Sequence, residues 1–245
     1  MTSPACRNDR KFQEMMTAGN ISGRHLKEKI LELLLADDPT ECFRHLSLLP
    51  ARQVMNPLLS FLYHDNELVR WHAVTTAGLI MGNLADRDTE SARVFMRRLM
   101  WSLNEESGGI GWGAPEAMAE IMACHAGLAE EYAPVFVSYL NPKGNFVEYE
   151  LLQRGVLWGL VRLAKSRPAL VAGAAVYIGN YLKSSDAVVR GLAAWAAGLL
   201  QTHENHSKLR ALLGDEASLR VYFDGTFVQY RVLDLAEKGL ALLGQ

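Results

Sequence analysis

The chain has 245 residues, 49% hydrophobic and 21% charged, with 25 Lys+Arg against 27 Asp+Glu for a formal charge of −2. That apolar fraction excludes a disordered chain, and 20 glycines and three cysteines exclude a collagen repeat and a disulfide framework. Cys6, Cys42 and Cys124 are scattered, and Arg7, Asp9, Arg10 and Lys11 fall where a secretory leader would be apolar, so a cytoplasmic protein is expected. The longest weakly polar stretch, Pro168 to Leu182, is about 15 residues and too short to span a bilayer, so no membrane partner is expected.

In chain order, the first expected elements are two or three N-terminal helices that fit the later repeat poorly. Ser22 can cap a helix over Gly23 to Ala36, and Asp38-Pro39-Thr40-Glu41 offers an N-cap, an early Pro and an N3 Glu for the next. These make residues 1–48 an N-terminal helical cap on repeats spanning 49–245, within a single domain, since no Gly-, Ser- or Pro-rich linker interrupts the chain. A repeat follows. Phe61-Leu62, Asn66, Val69-Arg70, Ala73 and Ala77-Gly78-Leu79 return 120 residues later as Tyr181-Leu182, Asp186, Val189-Arg190, Ala193 and Ala197-Gly198-Leu199.

Each position has a physical reading. Asn66 and Asp186 are N-caps whose side-chain oxygens accept from the free N–H groups of the next helix. Val69, Ala73 and Ala77 step by four, giving a narrow stripe that lets a neighbouring helix approach closely. Weaker copies place the matching helix of the second unit at Ala114 to Cys124 and that of the last at Phe227 to Leu243, and Gly155 to Leu160 stands where Ala73 to Gly78 stand. Pro57 and Pro134 fall inside or early in first helices, where the missing N–H bends them.

The bend prolines, the Asx caps, the Val-Arg pairs and the small residues after them resemble the HEAT-repeat family of armadillo-type α-solenoids. The resemblance covers roughly residues 40 to 243. It implies an all-α fold, a right-handed α-α superhelix of about five helix pairs with a concave inner face used for binding.

One segment breaks the repeat. Asn104-Glu105-Glu106-Ser-Gly-Gly-Ile-Gly-Trp112-Gly-Ala-Pro-Glu116 holds four glycines within six residues, in a loop longer than a helix-pair turn needs. With a helix starting near Ala114, Pro115 occupies N1, Glu116 and Glu120 share one face, and Glu116 lies in the first turn, where the dipole favours a carboxylate. The expected binding residues are therefore Asn104, Glu105, Glu106, Trp112, Glu116 and Glu120, with Trp71 and Trp158 beside the small-residue stripe on second helices. Simple packing roles remain open for each: a dipole-complementing Glu116, and tryptophans that fill gaps between repeats.

Metal and catalytic chemistry find little support. Glu105, Glu106, Glu116, Glu120 and His125 could chelate, but no His falls at ligand spacing, and His64 and His72 lack a third ligand. No phosphate loop, GxSxG, HExxH or dinucleotide fingerprint occurs, and Cys124-His125, read as adjacent on one helix, would diverge. No cofactor, metal or catalytic residue is expected.

Between Arg98 and Lys143 there is no Lys or Arg while six glutamates fall in that span, the opposite of a phosphate-gripping surface. The expected function is thus a non-catalytic scaffold holding a protein partner, a basic or helical segment, on the concave face and the acidic rim loop, with no nucleic acid. Two alternatives remain. One is an enzyme: short HEAT-like proteins include alkylpurine DNA glycosylases, to whose aromatic–carboxylate arrangement Trp112 and Glu116 are similar, and tetrapyrrole lyases. The other is a small-ligand or metal-binding protein using Trp112, Glu116 and Glu120. Arg70 and Arg190 are read as pairing with neighbouring acids.

Overall fold

A computed structural model describes residues 22–36, 39–103 and 111–244. Asn104, Glu105 and Glu106 lie outside the described residues, as do Cys6 and Asp38. Two short helices come first, α1 (Gly23–Leu34) and α2 (Pro39–Leu46); Ser22 caps α1 by accepting from the His25 N–H at 3.3 Å. Both pack on the fourth helix, α4 (Glu67–Ala85), and α1 also touches the third, α3 (Ala51–Phe61).

Antiparallel helix pairs then follow one another. After α3 and α4 come α5 (Thr89–Leu103) with α6 (Ala114–Cys124), and α7 (Ala126–Ser138) with α8 (Glu150–Ser166). A short turn, α9 (Pro168–Val171), leads into α10 (Ala175–Tyr181) with α11 (Ala187–Leu199), and α12 (His206–Ala211) pairs with α13 (Val232–Leu243). The second helices α4, α6, α8, α11 and α13 touch in that order and form one inner row; α3, α5, α10 and α12 each lie against their own second helix, while α7 lies against α6 and meets α8 through α9. Among the described residues this makes an all-α superhelix of the HEAT/armadillo type with five helix pairs.

The repeat residues do what their types dictate. Asn66 Oδ1 accepts from the Leu68 and Val69 N–H groups at 2.9 and 3.4 Å, and Asp186 Oδ1 from the Val189 N–H at 2.9 Å. Ala73, Ala77, Ala193 and Ala197 are fully buried in the inner row. The approach is tightest between α11 and α13, where a β-carbon on Gly198 would overlap the Gly239 carbonyl. Pro57 and Pro134 lie inside α3 and α7.

Three local expectations are corrected. The final helix does not begin at Phe227: residues Ser218–Phe223 (β1) and Thr226–Arg231 (β2) pair as an antiparallel hairpin, and α13 starts at Val232. Asp224-Gly225 makes the two-residue turn with both residues at positive φ (51° and 81°), the geometry Asp-Gly favours between β-branched and aromatic runs. Cys124 and His125 do not share a helix: His125 is extended (φ −134°, ψ 119°) and its Nδ1 caps α7 by accepting from the Leu128 N–H at 3.0 Å. Pro115 sits one place beyond N1, because Gly113, at φ 75°, is the N-cap of α6 and Ala114 its first residue.

Candidate binding site

The hairpin lies across the inner row and is held there by aromatic rings. Tyr222 stacks on Trp71 of α4 (centroids 5.0 Å, planes 15° apart), and Phe223 stacks on Trp158 of α8 (5.2 Å, 20°) and meets Trp195 of α11 edge-on (5.0 Å, 66°). The Trp158 indole N–H donates to the Tyr222 carbonyl at 2.6 Å, and Arg220 of β1 pairs with Glu67 at the start of α4. A strand near the C-terminal end of the chain thus reaches back to the first repeat.

Beside the hairpin remains a cavity of about 250 Å³, formed where the N-terminal ends of α4, α6, α8 and α11 converge. Trp71, Trp112 and Trp158 give it aromatic surface, and Val188, Leu192 and Val221 add aliphatic surface. Five charged side chains face it: Glu67 and Arg70 from α4, Glu116 from α6, Arg154 from α8 and Arg220 from β1. Two arginines are committed. Arg220 pairs with Glu67, and Arg154 Nε donates to Asp186 Oδ2 at 2.9 Å.

Glu116 and Trp112 are the unusual members. Glu116 Oε2 and Trp112 Nε1 are buried and have no hydrogen-bond partner among the described residues. Burial pushes the Glu116 carboxyl up to about 7, against the opposing pull of its own backbone amide and of Arg70. Arg70 lies over the Trp112 ring, its guanidinium carbon 5.1 Å from the centroid, and its one hydrogen bond among the described residues is a long 3.5 Å contact with the His64 carbonyl.

The structure therefore brings Trp71, Trp112, Glu116 and Trp158 of the expected residues to one cavity and takes Glu120 elsewhere. Glu120, one turn beyond Glu116, is 9% exposed and receives both a 2.7 Å bond from Arg162 Nε and a 3.0 Å bond from Arg162 Nη2. The two repeat arginines also part company. Arg190 pairs with Asp215 at 2.8 Å as expected, whereas Arg70 has no carboxylate within ion-pair distance among the described residues; Trp112 stands beside it instead.

Sequence reasoning missed Arg154, Arg220 and Gly155. The Lys/Arg-free span is met at the cavity by arginines from α4, α8 and the hairpin, and only the Asp-Gly turn hinted that β1 would arrive there. Among the described residues no group of three or more His, Cys, Asp and Glu could hold a metal. No helix among them is long and apolar enough to cross a membrane.

Fold and cavity together describe a stack of helix pairs, a HEAT/armadillo-like fold, with an aromatic cavity on its inner row. No protein-family model matches the chain. An uncharacterized protein of Archaeoglobus fulgidus is 33% identical over 108 residues, 44% of this chain and 52% of that protein, so the match spans about half the length of the curated relative. Among solved structures, a designed armadillo repeat protein in complex with the peptide (KR)4 is 17% identical with a TM-score of 0.47, covering 88% of this chain and 98% of that one. An archaeal HEAT-like repeats protein from Thermococcus onnurineus NA1 is 15% identical with a TM-score of 0.39, covering 91% and 81%.

Proposed function

We propose that this chain is a non-catalytic binding protein that holds a protein partner against its inner row, with the cavity as the anchor point and with Asn104, Glu105 and Glu106 also contacting the partner. The observation carrying this reading is the aromatic cavity with Arg70 in its lining, backed by two buried polar atoms of lining residues, Glu116 Oε2 and Trp112 Nε1, that have no partner among the described residues. Leaving such groups unmatched costs about 1–3 kcal/mol each, a cost that an occupant would remove. The volume of about 250 Å³ lies below the ~300–1,000 Å³ usual for ligand pockets, and a helix is ~10 Å across. With the hairpin lying across the inner row beside the cavity, the partner inserts one anchoring group rather than laying down a whole helix.

Tagged protein would be used to recover partners from host lysate, with wild type run beside Arg70→Gln and beside Glu105→Lys/Glu106→Lys, each first shown to be folded. The reading expects one protein bound at fixed stoichiometry by wild type, rebinding as a purified pair, and lost by both variants. Recovery that neither variant alters would sink it.

A second reading has one observation in its favour. Trp112 and Glu116 share their cavity with three arginines, so the cationic groups missing between residues 99 and 142 are supplied by other elements. That suits an enzyme acting on alkylated purines in DNA, with Glu116 facing the sugar. Release of methylated base from duplex DNA, abolished by Glu116→Gln, is its test. The same cavity is small for a four-ring tetrapyrrole.

A further inference from the structure

We propose that the cavity between Trp71, Trp112 and Trp158 is a carboxylate subsite, in which the Arg70 guanidinium and the Trp112 indole N–H hold the anion. This deepens the binding reading above and rests on it.

The polar groups decide the ligand class by elimination. Of the charged groups facing Glu116, Glu67 and Arg220 satisfy each other across α4 and β1, and Arg154 of α8 is taken by Asp186. Glu120, the next acid on the same helix, is held by Arg162. What remains is Arg70, which lines the cavity, and two atoms of lining residues buried behind its wall, Trp112 Nε1 and Glu116 Oε2, which an occupant engages as those side chains turn toward it. Guanidinium and indole only donate hydrogen bonds, so an occupant must bring acceptors.

A cation would satisfy Glu116 but leave the indole N–H unmatched and face Arg70 at close range. A neutral amide could accept from both donors, yet the charge of Arg70 would stay uncompensated whenever Glu116 is protonated. A carboxylate answers all three groups. It accepts from Arg70 and the indole, balances the free guanidinium, and receives a third hydrogen bond from Glu116 in its neutral form. Burial already holds that carboxyl near neutrality, so the proton is taken up readily at physiological pH. A planar group also suits a cavity lined by Trp71, Trp112 and Trp158.

Benzoate, benzamide and benzamidinium share one shape and carry charges of −1, 0 and +1, and serve as probes. Each would be titrated into the full chain while the Trp112 indole N–H resonance, identified by its loss in Trp112→Phe, is followed by NMR. Benzoate is expected to move that resonance saturably and to bind at least about tenfold tighter than the other two. Its affinity should weaken roughly tenfold between pH 6 and pH 8 as the competent neutral Glu116 is depleted. Glu116→Gln should keep binding and lose that pH dependence, while folded Arg70→Gln should lose about tenfold or more in affinity.

Equal or better binding of benzamidinium or benzamide overturns the proposal, as does no response to any probe or an unchanged pH profile in Glu116→Gln. Release of the recovered partner by benzoate assigns the carboxylate to that partner, and binding without release assigns it to a free small acid; both keep the subsite. Should benzoate fail while Arg70→Gln still loses the partner, the carboxylate assignment falls and the binding reading stands.

Discussion

Gly155 of α8 faces the Glu116 carboxyl of α6 so closely that a β-carbon on Gly155 would lie 2.6 Å from its carbon and both its oxygens. No real β-carbon sits that near a heavy atom, so the glycine is what leaves room for the carboxyl. Gly155→Ala must therefore push Glu116 into the cavity or spread α6 from α8. The expected cost is about 1–3 kcal/mol in a urea melt. The Trp112 indole resonance should also stop responding to benzoate, even though no group that would contact benzoate has been removed.

The buried Glu116 carboxyl should make its contribution to stability fall as pH rises. Its folded-state pKa, about 7, stands above its ordinary value of 4.5. Folding therefore takes up a proton between these two values, and the penalty for burying the charge is absent below about pH 4.5 and complete above about pH 7. Relative to wild type, Glu116→Gln should gain up to about 3 kcal/mol on passing from pH 4 to pH 8. Taking the difference between the two proteins' denaturant midpoints at each pH cancels other acids such as Asp88 and Asp234. A difference that is flat, or that falls with pH, would show Glu116 to be solvated.

Much of this architecture can be read from residue types alone. The Asx caps and the bend prolines are local features, and the small-residue stripe needs only the matching second helix of the next pair. The helix start at Ala114 was legible because Pro and an early Glu both fit a first turn, and that placement brought Trp112 and Glu116 together correctly. The hairpin was misread because the last unit was expected to repeat the earlier ones. Leu-Arg-Val-Tyr-Phe, Asp-Gly and Thr-Phe-Val-Gln-Tyr favour a strand pair, and local chemistry prevailed over the period. Arg154 and Arg220 could not be placed at the cavity from sequence, because they arrive from elements 38 and 104 residues beyond Glu116.

Glu120 and Arg162 form a second pair whose removal should be felt in folding. Their side chains are 11% and 28% exposed, and the two-bond geometry leaves Arg162 without its counter-charge if Glu120 is lost. Glu120→Ala should cost about 3 kcal/mol, and replacing both residues by Met should recover most of that, since two opposite charges then leave together. A double variant no better than the single would show that Glu120 contributes packing rather than charge.

Two contacts tie the hairpin to the inner row, and their strengths should differ. Arg220 and Glu67 are 52% and 41% exposed, so Arg220→Ala should cost under about 1 kcal/mol and less in high salt. Phe223 is buried between the rings of Trp158 and Trp195, and Phe223→Ala opens a hole between α8, α11 and β1 that should cost about 3 kcal/mol or more. Tryptophan emission should move to longer wavelength in Phe223→Ala, because water reaches Trp158 and Trp195, and stay put in Arg220→Ala. The reverse order, with the arginine variant shedding the hairpin and the phenylalanine variant keeping it, would mean that the ion pair rather than the aromatic stack closes the cavity.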